Sequence, residues 1–224
     1  MRKRKARQLT LFPERPRRGR PPKPHKDYVP HVKRPPLHKD HAAHITLKLL
    51  PRIGTLRTGR LHRIVRAAFV AGCDRFGFRL VHYSVQRDHI HLIAEAGDAA
   101  ALSRGLQGLA IRIAKGLNRA LGTAGHVFRE RYHENVLTKA KKAFAALNYV
   151  LNNGFRHLRK LGFKVDALFI DPCSSGVYFD GWAPGVLRQR PPPGPRPVVA
   201  VRSWVIRDAL RRYGPVVPGQ IGLA

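Results

Sequence analysis

Apolar residues alternate with polar ones along the first regular stretch of the chain. In His44-Ile45-Thr46-Leu47-Lys48-Leu49 every second side chain is apolar, so Ile45, Leu47 and Leu49 leave one face of a predicted strand. Pro51 and Gly54 close it. The period then changes. Over residues 61–76 the apolar positions Leu61, Ile64, Val65, Ala68, Phe69 and Phe76 recur at helical spacing, with Gly77 placed to cap the end. Alternation returns over residues 78–85, predicting Phe78, Leu80, His82 and Ser84 on one face and Arg79, Val81, Tyr83 and Val85 on the other. Gln86-Arg87-Asp88 turns the chain into a third alternating run, His89-Ile90-His91-Leu92-Ile93, so these two strands form a hairpin.

After Gly97-Asp98, an N-cap signal, the stripe Leu102, Leu106, Leu109, Ile113 and Leu117 predicts a helix to about residue 121. Gly105, Gly108 and Gly116 cost it propensity, and close packing on the sheet is the reason expected. Residues 126–137 read as a loop and a fourth strand, with Phe128-Arg129-Glu130-Arg131-Tyr132-His133 extended. Thr138 is placed to cap a last long helix over residues 139–161, with Phe144, Leu147, Leu151, Gly154 and Leu158 as its stripe. The order β-α-β-β-α-β with a trailing helix predicts an α+β, ferredoxin-like fold with an antiparallel sheet, one face covered by helices and one free.

Charge adds the partner. The chain has 43 Lys and Arg against 13 Asp and Glu in 224 residues, a formal charge of +30, which points to a polyanion, nucleic acid first. Residues 1–40 are so rich in Lys, Arg and Pro that they read as a disordered basic tail that holds phosphate without reading sequence. Residues 41–165 form the expected domain. Residues 166–224 form a Pro-rich extension whose turn-rich 171–182 segment should pack on the domain edge, with a short basic helix over 199–213. No apolar run is long enough to span a membrane, no secretory signal opens the chain, and two cysteines a hundred residues apart make neither disulfide framework nor zinc finger. A cytoplasmic, nucleoid-associated protein is expected.

His89 and His91 leave their strand on the same face, which is half of a divalent-metal site; two half-exposed strand histidines is the plainer alternative. On the last helix Tyr149 lies about 160° from Leu147, off the apolar stripe, and shares its own face with Lys142, Asn153 and Arg156. Tyr149 and Asn153, four apart, can project into one site. Arg104, Arg112, Lys115 and Arg119 share a face of the preceding helix, either solvated or against nucleic acid. His44, His133 and Glu95 are further titratable groups near the strands.

In order and spacing, His89-Ile90-His91-Leu92-Ile93, the 128–133 segment and Tyr149-Val150-Leu151-Asn152-Asn153 resemble the single-tyrosine HUH transposases, the IS200-like family, and within it the REP-associated branch. The resemblance covers about residues 41–162. It implies a ferredoxin-like endonuclease that cuts and rejoins single-stranded or hairpin DNA, with Tyr149 as nucleophile, His89, His91 and Asn153 as metal ligands, and a 5′-phosphotyrosine intermediate. The family includes homodimers whose tyrosine serves either subunit. Nitrogen and oxygen ligands without thiolate suit Mg²⁺ or Mn²⁺ at a phosphate. Arg131 and Arg156, near these motifs, join the row Arg104, Arg112, Lys115 and Arg119 as expected DNA contacts. One departure is plain: Gly154 stands where the family has Pro, so the helix is free to run on through Phe155-Arg156-His157. Two other readings stay open. His44-Ile45-Thr46 matches half of the two-histidine RNA phosphoesterase pattern, which gives Tyr149 no role. A non-catalytic, transposase-derived nucleic-acid-binding protein needs only the fold and the charge.

Overall fold

In the computed structural model, which describes residues 36–186 and 190–220, an antiparallel sheet of five strands runs in the order β2-β3-β4-β1-β5. The strands are β1 (Ala42–Lys48), β2 (Asp74–Arg75), β3 (Phe78–Val85), β4 (His89–Ala96) and β5 (His133–Leu137). The helices are α1 (Gly59–Gly72), α2 (Ala99–Leu121), α3 (Ala140–Lys160) and α4 (Trp204–Tyr213). Without the two-residue β2, the strand order is that of the ferredoxin-like arrangement. Most of the basic tail lies outside the described residues. Among the described residues no helix is long and apolar enough to cross a membrane.

Two apolar layers sandwich the sheet. Ile45, Leu47, Ile90 and Leu92 face α1 and α2, whose Val65, Phe69, Leu102, Leu106, Leu109 and Ile113 are buried against them. The opposite face, expected to be free, is covered. Ala42, Ile93 and Leu137 meet Leu147, Val150 and Leu151 of α3, and beyond them Ile170, Phe179, Trp182 and Val205 of the C-terminal extension. Two predicted faces change. A register shift between Leu80 and His82 moves Tyr83 and Val85 onto the same layer as Phe78 and Leu80, and leaves His82 and Ser84 on the α3 side. And α1 ends at Gly72, because Asp74–Arg75 turns back to pair with β3 through Phe76 and Gly77, both at positive φ (54° and 77°), as a two-residue hairpin requires. Phe76 is therefore exposed at the tip and not on the helix stripe.

Asp98 caps α2 by accepting from the Ala101 amide, as its position suggested. A side chain at Gly105 would collide with Phe78 of β3 and one at Gly116 with Ile64 of α1, which accounts for two of the helix glycines. Thr138 does not cap α3; the N-cap is Lys139, with no side-chain bond. The fourth strand is shorter than its pattern. Thr46 pairs with His133 and Leu49 with Phe128, so five steps along one strand meet three along the other, and residues 129–132 bulge out as a loop.

Candidate active site

Antiparallel pairing sets Thr46 opposite His91 and Lys48 opposite His89, while Thr46 also meets His133 of β5. Thus β1 and β4 present His44, Thr46, His89 and His91 toward α3. The His89 and His91 rings stand 4.7 Å apart, nearly perpendicular. The Tyr149 ring meets His91 edge-on at 5.1 Å, and its hydroxyl lies 3.4 Å from His91 Nε2. Two turns further on, the His157 ring lies 5.7 Å from His89. Tyr149, Asn153 and His157 are spaced by four, so one face of α3 runs along the histidine pair, with Asn153 halfway.

Each histidine has one nitrogen engaged behind it. His89 Nδ1 donates to the Asp88 carboxylate at 2.8 Å, which leaves Nε2 with its lone pair. His91 Nδ1 lies 3.1 Å from Thr46 Oγ1 and 3.2 Å from His44 Nε2. With the Tyr149 hydroxyl donating to Nε2, the Nδ1 proton faces that pair. Burial, with His89, His44 and His157 adding repulsion, pushes the His91 imidazole down to about 2; burial and His133 push His44 down to about 4. Both rings are neutral at physiological pH, the form in which imidazole binds a metal.

The donor set can be tested on these observations. Among the described residues no three His, Cys, Asp or Glu side chains form a metal cluster. Two imidazoles with fixed outer nitrogens are present, however, in the arrangement by which outer partners orient metal-binding histidines. Asn153, on the same helix face as Tyr149 and His157, is 1% exposed and its Nδ2 has no partner; a cation would take the amide through its oxygen, Oδ1. His89 and His91, with the Asn153 oxygen as a third donor, have the chemistry to hold a divalent cation. One atom is contested: the His91 Nε2 lone pair that accepts from Tyr149 is the one a metal would use.

The expected basic residues separate into groups. Arg156 lies over the Tyr149 ring, its guanidinium carbon 5.1 Å from the centroid, and so belongs to the site. Arg131 is exposed on the loop before β5. Arg104, Arg112, Lys115 and Arg119 are on α2, across the sheet from Tyr149, with Arg112 bonded to the Gly108 carbonyl. Glu95 is withdrawn from any chemistry: it accepts from the Arg202 and Ser203 amides ahead of α4 and pairs with Arg79. His157 went unremarked in the sequence as a site residue, although its spacing of eight from Tyr149 was a readable sign.

Where the family has Pro, α3 continues unbroken to Lys160. The structure also gives a reason for the glycine. A side chain at position 154 would run into the carboxylate of Asp171, which is buried and held by Arg57 through two bonds of 2.7 and 2.8 Å. Arg57 donates to the Val85 carbonyl as well, and Asp171 accepts from the Cys173 amide. This pair joins the loop before α1, the end of β3, α3 and the extension at one point.

The sequence pattern described as "Transposase IS200 like" matches residues 38–153, just over half of the chain. Among solved structures, the fold is similar to that of a REP-associated tyrosine transposase bound to a REP hairpin, at a TM-score of 0.50 and 18% identity, covering 66% of this chain and 82% of that one. A protein from Deinococcus radiodurans R1, assigned provisionally as a transposase, aligns over 62% of this chain and 94% of its own at 16% identity; its TM-score of 0.36 supports no comparison of folds. No curated protein matches.

Proposed function

The chain belongs to the IS200-like transposase family, and from that premise we propose that it cuts and rejoins single-stranded DNA through a covalent link to Tyr149. The observation that carries the reading is the meeting of Tyr149 Oη with His91 Nε2 at 3.4 Å, from elements 58 residues apart. The Tyr149 oxygen attacks the scissile phosphorus, its proton passing to solvent. The bond from phosphorus to the 3′ oxygen breaks, and that oxygen leaves with the electron pair and takes up a proton. The products are a 5′-phosphotyrosine and a free 3′-hydroxyl; the reverse attack rejoins the strand.

A free phenol is mostly protonated near neutral pH, so the site must supply help. His89, His91 and Asn153 are the residues to hold Mg²⁺ or Mn²⁺, which when bound neutralises charge on a non-bridging phosphate oxygen. Asp88 holds His89 in the tautomer that leaves Nε2 free, and Thr46 with His44 does the same for His91. Arg156, over the Tyr149 ring, places positive charge against the face of the phenol. The meeting of tyrosine and histidines within one chain supports a reaction in cis. The REP hairpin bound by the similar transposase makes hairpin-bearing single strands the substrates to try first.

The test incubates the full chain with labelled single-stranded DNA and Mg²⁺ or Mn²⁺, alongside Tyr149→Phe and His89→Ala. A covalent protein–DNA band that both substitutions abolish supports the reading. The two-histidine phosphoesterase gains one observation, Thr46 opposite His91. Cleavage that survives Tyr149→Phe selects it, and binding without cleavage selects the non-catalytic protein.

A further inference from the structure

Beside the site, on the His89 side, opens a cavity of about 610 Å³, within the size range of small-ligand pockets. Its lining mixes two kinds of surface. Leu49, Pro51, Leu158 and Leu161 provide apolar wall, and Lys48, Arg87 and Lys160, all exposed, stand among them. The one acid in the lining, Asp88, is engaged by His89. An apolar wall ringed by cations is complementary to a base with its backbone phosphates, a combination that binds single-stranded nucleic acid. The placement relative to the chemistry adds direction. His89 and His157 line the cavity, whereas Tyr149 and His91 do not.

We infer that this cavity holds the nucleotide on the 5′ side of the cut, the one that leaves with the free 3′-hydroxyl. The inference rests on the transposase reading of Tyr149. In a phosphoryl transfer the attacking and leaving oxygens lie roughly in line through phosphorus. Tyr149 approaches from beside His91 and His44, its ring 5.8 Å from that of His44. The departing 3′ oxygen then points the opposite way, past His89 and into the cavity. The strand downstream of the cut is kept by its covalent bond. The upstream strand has none, so rejoining needs a pocket that retains it, and this one opens where the hydroxyl is released.

Photo-crosslinking tests this in the full-length protein without a known target sequence. One probe is a mixed-sequence trinucleotide with a free 3′-hydroxyl and 5-iodouracil as its last base. The other is a 5′-phosphorylated trinucleotide with 5-iodouracil as its first base. The first is expected to label peptides carrying His157, Leu158 or Leu161, and the second is not. Arg87→Glu and Lys160→Glu are each expected to cut that labelling about tenfold by removing a phosphate contact. Arg63→Glu, the same charge change on exposed α1 across the sheet, is expected to leave it within about twofold. Equal labelling by both probes, labelling elsewhere or not at all, or equal loss with Arg63→Glu overturns the inference. Failure of the wild-type protein to form a Tyr149–DNA adduct is read on a separate gel and overturns the reaction instead.

Discussion

The two nitrogens of His91 face different neighbours, Thr46 and His44 behind, Tyr149 in front. If Thr46 holds the tautomer, Thr46→Val lowers Mn²⁺ affinity, read by calorimetric titration, by about 10- to 100-fold, the usual cost of losing an outer partner, and Thr46→Ser restores it. Unchanged affinity in Thr46→Val leaves the clamp without a role. A second residue-scale expectation concerns acid. Burial pushes His82 down to about 3, with Nε2 unpartnered, and His44 down to about 4. Each stays neutral in the folded chain, while the unfolded chain binds a proton below the usual 6.5. Their contribution is whole above pH 6.5 and is lost as pH falls toward the folded values, by about 2 kcal/mol each at pH 5. Urea unfolding of the metal-free protein at pH 7.5 and pH 5 measures it together with the like contribution of buried His91, and His82→Leu should shrink the difference by no more than about a third. A stability that does not fall with acid contradicts the assignment.

Among elements, α3 is the most tightly constrained. Gly154→Ala pushes a methyl into the Asp171 carboxylate and strains its pair with Arg57, and a cost of about 2–4 kcal/mol in urea midpoint stability is expected. Asp171→Ala combined with Gly154→Ala should cost less than the sum of the two singles, since the second methyl then meets only the Cβ of residue 171 and no carboxylate. Additive costs would place the strain elsewhere. This crowding marks a limit of what the sequence discloses. The order of strands and helices was legible because alternation and 3.6-residue spacing are local, and the His89–His91 and Tyr149–Asn153 pairs were legible because each lies within one element. The burial of Asp171 beneath Gly154, the slip between Leu80 and His82, and the closure of the second sheet face by residues 170–216 are settled by contacts over long separations. No periodicity records those. His157 fell between the two cases: its spacing was local, but its relevance depended on the helix running past residue 154.

For the molecule as a whole, the sheet separates two basic surfaces. Arg104, Lys115 and Arg119 stand exposed on α2, behind the face that carries Tyr149. Reversing these three charges is expected to weaken single-strand affinity several-fold. It should also flatten the salt dependence, by about 0.7 on a log–log plot for each phosphate that α2 no longer neutralises. The yield of covalent adduct at saturating DNA should not change, because no side chain in the site is touched. A fall in saturating yield would mean that α2 positions the cut strand.

Strand β4 has a period of two, and both phases are occupied: Ile90 and Leu92 in one buried layer, His89 and His91 toward α3. Such a strand behaves like a message with a reading frame. Adding or deleting a single residue in the Gln86–Asp88 turn, with the turn keeping its geometry and β4 slipping one place in register, would exchange the frames, sending imidazoles into the oil and isoleucine to the phosphate. The neighbouring β3 contains such a slip already, absorbed midway at Leu80 and His82 where no chemistry depends on phase. Length variation in this protein should therefore gather in β3 and the other loops, and be barred from the Gln86–Asp88 turn that leads into β4.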